Sequence, residues 1–569
     1  MAAFRIVDGG AIFQGFSVGL QESAEIIEKK KLVCSLIAFL IILGSALPLP
    51  SAVVEASPAT EIRDWYDLHA IRDNPDGSYL LMNDLDAAAA GYEELASEAA
   101  NEGEGWEPIG IYEQGVAFDP FVGTFDGQGY EIRDFVIDRR EVVGVGLFGA
   151  VVGSEEGGSI RNVGVANAYV TGSIGVGGLV GLNAGNVTNS YCTGNVTGSS
   201  RVGGLVGFNI ALVSNCYSSG NVTGDDILVG GLVGYNTGIV SNSYSGASVS
   251  GDGGVGGLVG GNQGTVRNSY ASGSVTGGWH SIGGLVGHSW EGTVSNCYAS
   301  GSVSGDARVG GLVGHNDYYA TVARSYATGS VTGDSLVGGL VGYNRGTVSD
   351  TYASGGVSGN SSVGGLVGDN EAVVENSFWD MEASGIDTSD GGLGKTTAQM
   401  MNIATFKDTR TEGLDTPWDI TAVAHGETDD AYAWNIVRGE SYPFLSGKQF
   451  VMYGLTITSS GGGSVTVPGE GAHTYLGGTV VDLVVEAEAL HRFVNWSGDV
   501  DTIARVTSGR TTITMDGDYS ITANFEEIRP TVNWPLIGLI IAAVLVVGLY
   551  VYAPLQRKIK QIRRGNSGG

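Results

Sequence analysis

Apolar and polar positions alternate in short runs through the middle of the chain, and these runs return at a fixed period. The unit is V-G-G-L-V-G-x-N followed by x-V-x-N-S-Y-x-x-G-x-V-x-G. Its leucines are Leu179, Leu205, Leu232, Leu258, Leu285, Leu312, Leu340 and Leu366, with a degenerate copy at Leu147 in Gly144-Val145-Gly146-Leu147-Phe148-Gly149. Successive copies lie 26 to 28 residues apart after a first interval of 32. Runs of Val, Thr, Ser and Tyr broken by Gly, with no 3.6-residue period, predict strands rather than helices. Three strands fit one period: V-G-G-L-V-G, a segment centred on Asn-Ser-Tyr such as Val266-Arg267-Asn268-Ser269-Tyr270, and a segment such as Ser274-Val275-Thr276-Gly277. A unit this small cannot bury its apolar face alone, so the copies must stack. The predicted fold is all-β, a right-handed parallel β-helix (solenoid) whose turns pair about 4.8 Å apart, so that nine of them span on the order of 40 Å.

Register within the unit supports stacking. Relative to the aromatic residue (Tyr191, Tyr217, Tyr244, Tyr270, Tyr298, Tyr326, Tyr352, Phe378), a Val stands four positions earlier in every copy: Val187, Val213, Val240, Val266, Val294, Val322, Val348 and Val374. In an unbroken strand this Val, the Asn two residues later and the Tyr share one face. The next Val, five residues after the Tyr, has the opposite parity, so the Gly between them must turn a corner. Two placements of the tyrosine row are open, an inward stack or an outward stripe, and the packing role of regular aromatic rows favours the first.

Composition changes the picture in three ways. The 95 glycines are locked to the repeat, which argues against low complexity. Net charge is −31, and residues 57–533 hold twenty basic against fifty-five acidic residues, which excludes nucleic acid as a partner. Residues 172–370 have no Lys and five Arg, so the repeats are nearly neutral and the acidity lies in the flanks. Cys216 and Cys297 replace the Ser before Tyr and Cys192 follows its Tyr, while Cys34 lies in an apolar run. Cys192 and Cys216 fall roughly 8 Å apart on adjacent turns, beyond disulfide reach, and read as free thiols in small-residue slots.

Two apolar segments frame the chain. Lys29-Lys30-Lys31, the run Leu32 to Leu47 and then Val54-Glu55-Ala56 have the order of a secretory signal peptide, with translation expected to start later than Met1. Leu536 to Ala553 is an apolar run of 18 residues flanked by Trp534, Tyr550 and Tyr552, about 27 Å long as a helix and followed by a basic tail. That order predicts a single transmembrane helix with the tail in the cytoplasm and the acidic bulk outside.

The repeats resemble the GLUG motif family of bacterial surface proteins, filamentous adhesins and some immunoglobulin-cleaving proteases. The resemblance extends to an opening segment with Tyr79-Leu80-Leu81-Met82-Asn83-Asp84-Leu85-Asp86, Trp106-Glu107-Pro108-Ile109-Gly110 and Gly123-Thr124-Phe125-Asp126-Gly127-Gln128-Gly129-Tyr130. It also reaches a closing one with Ser377-Phe378-Trp379-Asp380, Gly392-Leu393-Gly394-Lys395-Thr396-Thr397, Trp434-Asn435-Ile436 and Tyr442-Pro443-Phe444-Leu445. A second stretch resembles the divergent internalin-type B repeat: Leu455-Thr456-Ile457, Gly463-Ser464-Val465-Thr466-Val467-Pro468, Phe493-Val494-Asn495-Trp496-Ser497-Gly498-Asp499 and Ile521-Thr522-Ala523-Asn524-Phe525. This resemblance implies a small β-grasp-like spacer or interaction module.

Together these readings divide the chain into an N-terminal extension and signal peptide (1–56), a cap with the first coils (57–171), the repeat β-helix (172–380), a C-terminal cap (381–450), the B-repeat module (451–528), a transmembrane helix (534–555) and a basic tail (556–569).

Candidate chemistry is sparse. The protease branch of the GLUG proteins implies a zinc-binding H-E-x-x-H, and none is present. The histidines are His69, His280, His288, His315, His425, His473 and His491, without metal-ligand spacing. His288 and His315 occupy the position after V-G in consecutive copies, where others carry Leu, Phe, Tyr, Gly or Asp. A stacked His pair there is a conceivable metal site, but without a third ligand the variable solvent position is the favoured reading. The G-x-G-K-T string fails the phosphate-loop pattern at Ser389. Asp225, Asp226, Asp252, Asp306 and Asp334 read as solvated turn residues. The chain is therefore expected to be no enzyme, with no catalytic, cofactor or metal residue assigned and no cofactor required. It reads as a cell-surface, single-pass membrane protein whose ectodomain serves adhesion or surface interaction with an extracellular glycan or protein. The alternatives are a polysaccharide-active β-helix enzyme and a passive envelope or spacer protein.

Overall fold

The structure is a computed structural model that describes residues 59–528, apart from 114–115, 154–157, 426, 447–451, 477–479 and positions 501, 504 and 516. The expected signal peptide, transmembrane helix and basic tail lie outside the described residues. Among the described residues no helix is long and apolar enough to cross a membrane.

The repeats wind into a parallel solenoid with four sheets rather than the three strands per turn read from sequence. One turn runs Tyr244–Ser245, Ser248–Gly251, Gly253–Gly256, Val259–Asn262, Thr265–Arg267. The first strand belongs to a tyrosine sheet, the next two to a serine/threonine sheet, the fourth to an asparagine sheet and the fifth to a valine sheet. The asparagine sheet holds nine strands among the described residues, eight full turns from first to last. Equivalent residues pair throughout, for example Tyr244↔Tyr270, Val249↔Val275, Asn262↔Ser289 and Val266↔Val294.

Two corners split what the sequence pattern joins. The Asn of Asn-Ser-Tyr takes the left-handed conformation in copy after copy, at φ 50° in Asn189, 55° in Asn215, 49° in Asn242 and 50° in Asn268. Asn tolerates that conformation better than most residues, which explains its place in the motif. The break between the valine and tyrosine sheets inverts the expected parity. Val187 and its equivalents as far as Val348 point inward and are buried, and so is the small residue after each Tyr: Cys192, Ser218, Ser245, Ala271, Ala299, Ala327 and Ala353. The Tyr itself turns out to the surface, so the expected inward tyrosine stack is corrected to an outward one. The second corner falls inside V-G-G-L-V-G. A Cβ on Gly231 would lie 2.1 Å from the carbonyl oxygen of Gly257 in the next turn, so only glycine lets the turns approach there.

The interior is a continuous column of Val, Leu and Cys side chains, and all three described cysteines are buried free thiols. Beside it runs a file of buried amides on the asparagine sheet. Asn183 Nδ2 donates to Asn209 Oδ1 at 2.7 Å, Asn209 to Asn236 at 2.8 Å and Asn236 to Asn262 at 2.9 Å. Asn316, Asn344 and Asn370 continue the file at 2.8 and 2.7 Å. Wider first turns are filled by Trp65, Trp106, Phe121, Phe125, Phe135 and Phe148.

Beyond the last turn, residues 381–445 form short helices and strands around Phe406, Trp418, Ile420 and Trp434, which cover Tyr352 and Phe378 and make them the buried members of the aromatic row. Thr396 of the G-x-G-K-T string caps the helix Thr397–Met400 together with Gln399, and Lys395 Nζ donates to the Glu412 carbonyl at 2.9 Å. Residues 452–528 form a separate core of a four-stranded and a three-stranded sheet around Leu455, Ile457, Leu483, Trp496, Ile513 and Ile521. Alternating strands occupy almost all of this module, and among the described residues it has no helix of the kind a β-grasp wraps.

Candidate interaction surface

Two outward rows distinguish the solenoid surface. On the tyrosine sheet, Tyr191, Tyr217, Tyr244, Tyr270, Tyr298, Tyr326 and Tyr352 stack in sequence with ring centroids 4.7 to 5.0 Å apart and planes within 10°. The spacing is that of the strands beneath, so each ring covers the faces of its neighbours. What this row offers to solvent is ring edges and hydroxyls. It is a stabilising ladder rather than a set of open platforms. At its start the Tyr191 hydroxyl donates to Glu131 Oε1.

The second row stands on the asparagine sheet at the position after V-G. Phe208 stacks on Tyr235 at 5.2 Å, His288 on His315 at 4.3 Å and His315 on Tyr343 at 4.9 Å. Gly261 occupies the intervening place, where a Cβ would collide with the Trp290 ring at 2.7 Å. Trp290 arrives from the following loop to fill that gap. It meets Tyr235 edge-on at 5.9 Å and stacks on His288 at 4.0 Å. Three of the five repeat arginines lie over this row or beside it: Arg201 over Phe208 and Tyr235, Arg308 over Tyr343, and Arg345 over Tyr318 and Tyr343. Arg201 and Arg308 both sit in the left-handed conformation, at φ 55° and 53°. The equivalent residues of other turns, Leu228, Ser281, Leu336 and Ser362, are left-handed as well, so the conformation belongs to a corner of the repeat. Nearby, Tyr318 and Tyr319 are 51% and 88% exposed, and in the bend between two strands of the serine/threonine sheet Trp279 is 60% exposed.

The two histidines depart from the solvent reading. Their side chains are only 13% and 5% exposed, and the loop after His315 brings Asp317 against both. Asp317 Oδ2 lies 3.6 Å from His288 Nε2, and Oδ1 lies 3.9 Å from His315 Nε2, both beyond hydrogen-bond length. Burial pushes the His288 imidazolium down to about 4. Burial and then the His288 charge push His315 down to about 3. Neither the Nε2 of His288 nor either ring nitrogen of His315 has a hydrogen-bond partner. These three side chains are a group able to hold a metal ion, with ligand atoms within 4.8 Å of one another. Sequence reasoning had the two histidines but not Asp317, whose signal was its place two residues after His315 in the longer loop of that copy.

The acids weighed for hydrolytic chemistry lie apart from this row. Asp225, Asp226, Asp252, Asp306 and Asp334 are exposed along the serine/threonine sheet. At the C-terminal end, Asp369 and Asp390 face an open depression lined also by Ser362, Thr388 and Ser389. Burial, then Asp390 and Glu371, raise the Asp369 carboxyl above the usual range. Asp390 Oδ2 accepts the Asn370 N–H at 2.7 Å.

The GLUG motif model matches residues 198–223, 251–276, 280–304 and 305–332, and the divergent InlB B-repeat domain model matches 453–529. Halomucin of Haloquadratum walsbyi is 34% identical over 135 residues, 23% of this chain and 1% of halomucin. A provisionally named Gly-rich membrane protein of Evansella cellulosilytica is 39% identical over 90 residues, 15% of this chain and 10% of its own length. The chain thus spans a small fraction of both relatives. Among solved structures, a provisionally named immunoglobulin A1 protease from Bacteroides ovatus aligns over 56% of this chain and 84% of its own, at 23% identity and a TM-score of 0.30. An IgA1 protease aligns over 56% of this chain and 21% of its own, at 13% identity and a TM-score of 0.25. Scores this low carry no argument. The chain is a GLUG-repeat β-solenoid followed by a divergent InlB B-repeat domain.

Proposed function

We propose that this GLUG-repeat protein works at the cell surface as a non-enzymatic adhesion or surface-interaction protein, held by a transmembrane helix at 534–555, with an extracellular glycan or protein as its ligand. Its coil is taken as right-handed, the sense that strand twist favours in parallel crossovers. One observation carries the reading: the row of Phe208, Tyr235, Trp290, His288, His315 and Tyr343 on the asparagine sheet, bordered by Arg201, Arg308 and Arg345. Aromatic and arginine side chains are the groups that anchor interfaces, because they combine large contact area with directional polar atoms. A surface of this kind needs extended area and no reactive cluster.

The test is binding of cells displaying the full chain to glycan and matrix-protein arrays. A variant carrying Phe208→Ser, Tyr235→Ser and Tyr343→Ser should bind at least tenfold less than the parent. The corresponding triple change on the tyrosine ladder, Tyr244→Leu, Tyr270→Leu and Tyr298→Leu, should leave binding in place. Equal binding by parent and first variant would sink the assignment of the surface, and release of reducing ends from any polymer would overturn the non-enzymatic reading. Absence of all binding would leave a passive envelope role as the better description.

A further inference from the structure

We propose that His288, His315 and Asp317 form a binding site for a divalent late first-row transition-metal ion, of the zinc, copper, nickel or cobalt class, that clips two neighbouring turns of the solenoid together. His288 and His315 are paired residues on adjacent strands, so the parallel register alone places one imidazole over the other. Asp317 enters from the loop that follows the second strand. The donor set of two imidazoles and one carboxylate suits this class of ion and leaves a fourth position for water or an external ligand. A tetrahedral zinc ion with bonds of about 2.0 to 2.1 Å holds its ligand atoms roughly 3.4 Å apart. The present distances of 3.6 and 3.9 Å from the carboxylate oxygens to the two Nε2 atoms are close to that. The imidazole planes are already inclined by 23°, and further opening about the Cβ–Cγ bonds turns both lone pairs towards the carboxylate.

The second, independent observation is the state of the nitrogens. The His315 side chain is 5% exposed and both its ring nitrogens lack hydrogen-bond partners, as does His288 Nε2. Buried polar atoms are rarely left so, because each costs about 1 to 3 kcal/mol. An ion would satisfy two of them at once. The neighbouring cations fit an outer role. Arg345 Nη1 lies 3.6 Å from Asp317 Oδ1, leaving Oδ2 towards His288, and Arg345 is itself balanced by Glu371 at 3.3 Å. Partners that orient a ligating carboxylate in this way are a regular part of metal sites.

The sequence supplies its own control variants. Tyr occupies the equivalent place at Tyr235 and Tyr343, so His288→Tyr and His315→Tyr keep the ring row while removing the ligand. The full chain, stripped with chelator, is titrated with Co²⁺ while its visible absorption is followed, and then with Zn²⁺. Expected are saturation of one strong site with tetrahedral-type bands, displacement by Zn²⁺, and at least tenfold weaker binding in His288→Tyr, His315→Tyr and Asp317→Asn. His280→Tyr, whose ring packs at a tilt against Trp279 and which is not one of the three grouped ligands, should bind as the parent does. Absence of a saturable site in the parent overturns the proposal without recourse to any variant. So does binding that survives in the folded His288→Tyr/His315→Tyr double variant, with folding checked by its thermal transition.

Discussion

Ser289 stands where the other turns carry a buried asparagine, and the amide file breaks there. Asn262 Nδ2 reaches the Ser289 hydroxyl at 3.4 Å, while the Oδ1 of the next member, Asn316, is buried without a partner. Ser289→Asn would place an amide donor in register with that oxygen, as Asn209 does for Asn236 three pairings earlier in the file. The expected gain is about 1 kcal/mol, the net worth of a buried hydrogen bond that replaces an unsatisfied acceptor. The midpoint of urea unfolding measures it. A midpoint unchanged or lowered would mean that the wider loop carrying Trp290 has moved the backbone out of register. Asn316 also adjoins His315, so the irregular copy concentrates its unsatisfied polar atoms around one spot.

The stacked tyrosines act as an element rather than as single residues. Partial burial of the stacked residues penalises phenolate, and Tyr217 is pushed up to about 12, with Tyr244, Tyr270, Tyr298 and Tyr326 raised as well. An acid whose folded value is raised contributes its full stability below the unfolded value, near 10, and loses it as pH climbs through the folded one. The unfolding temperature should therefore hold steady from pH 7 to 9 and fall from about pH 10 upward, with phenolate absorbance appearing later in the folded than in the urea-unfolded chain. Coincident titrations would refute a half-buried ladder. The period, the β class and the turn-to-turn equivalence of these rings were legible because Val and Tyr keep one spacing in every copy. Their direction was not, since parity counting passes straight through Asn189 and its equivalents, where the left-handed backbone resets it. The second row was hidden for another reason: a position occupied by Phe, Tyr, Gly and His looks variable until its shared ring chemistry is seen in three dimensions. Trp290 and Asp317 come from loops, whose reach no periodicity encodes.

At the scale of the whole molecule, stability belongs to interfaces between turns, and an uncovered end is an exposed template for pairing. Residues 381–445 cover one such end, with Trp418 Nε1 donating to the Asn376 carbonyl at 2.9 Å and the Tyr352 hydroxyl to that of Pro443 at 2.7 Å. A chain ending at residue 376 should associate end to end, whereas one ending at residue 446 should stay monomeric. Light scattering after size exclusion separates the two, and a monomeric shorter chain would show that the cap is dispensable. The same fastening has a mechanical meaning. If the chain is drawn out from its C-terminal side, the Trp418 and Tyr352 contacts bear the load before any repeat does. Once they yield, turns can peel away singly, each 26 to 28 residues paying out about 90 Å of slack. A surface contact fixed to such a coil is let down by stages under shear instead of being torn off at once.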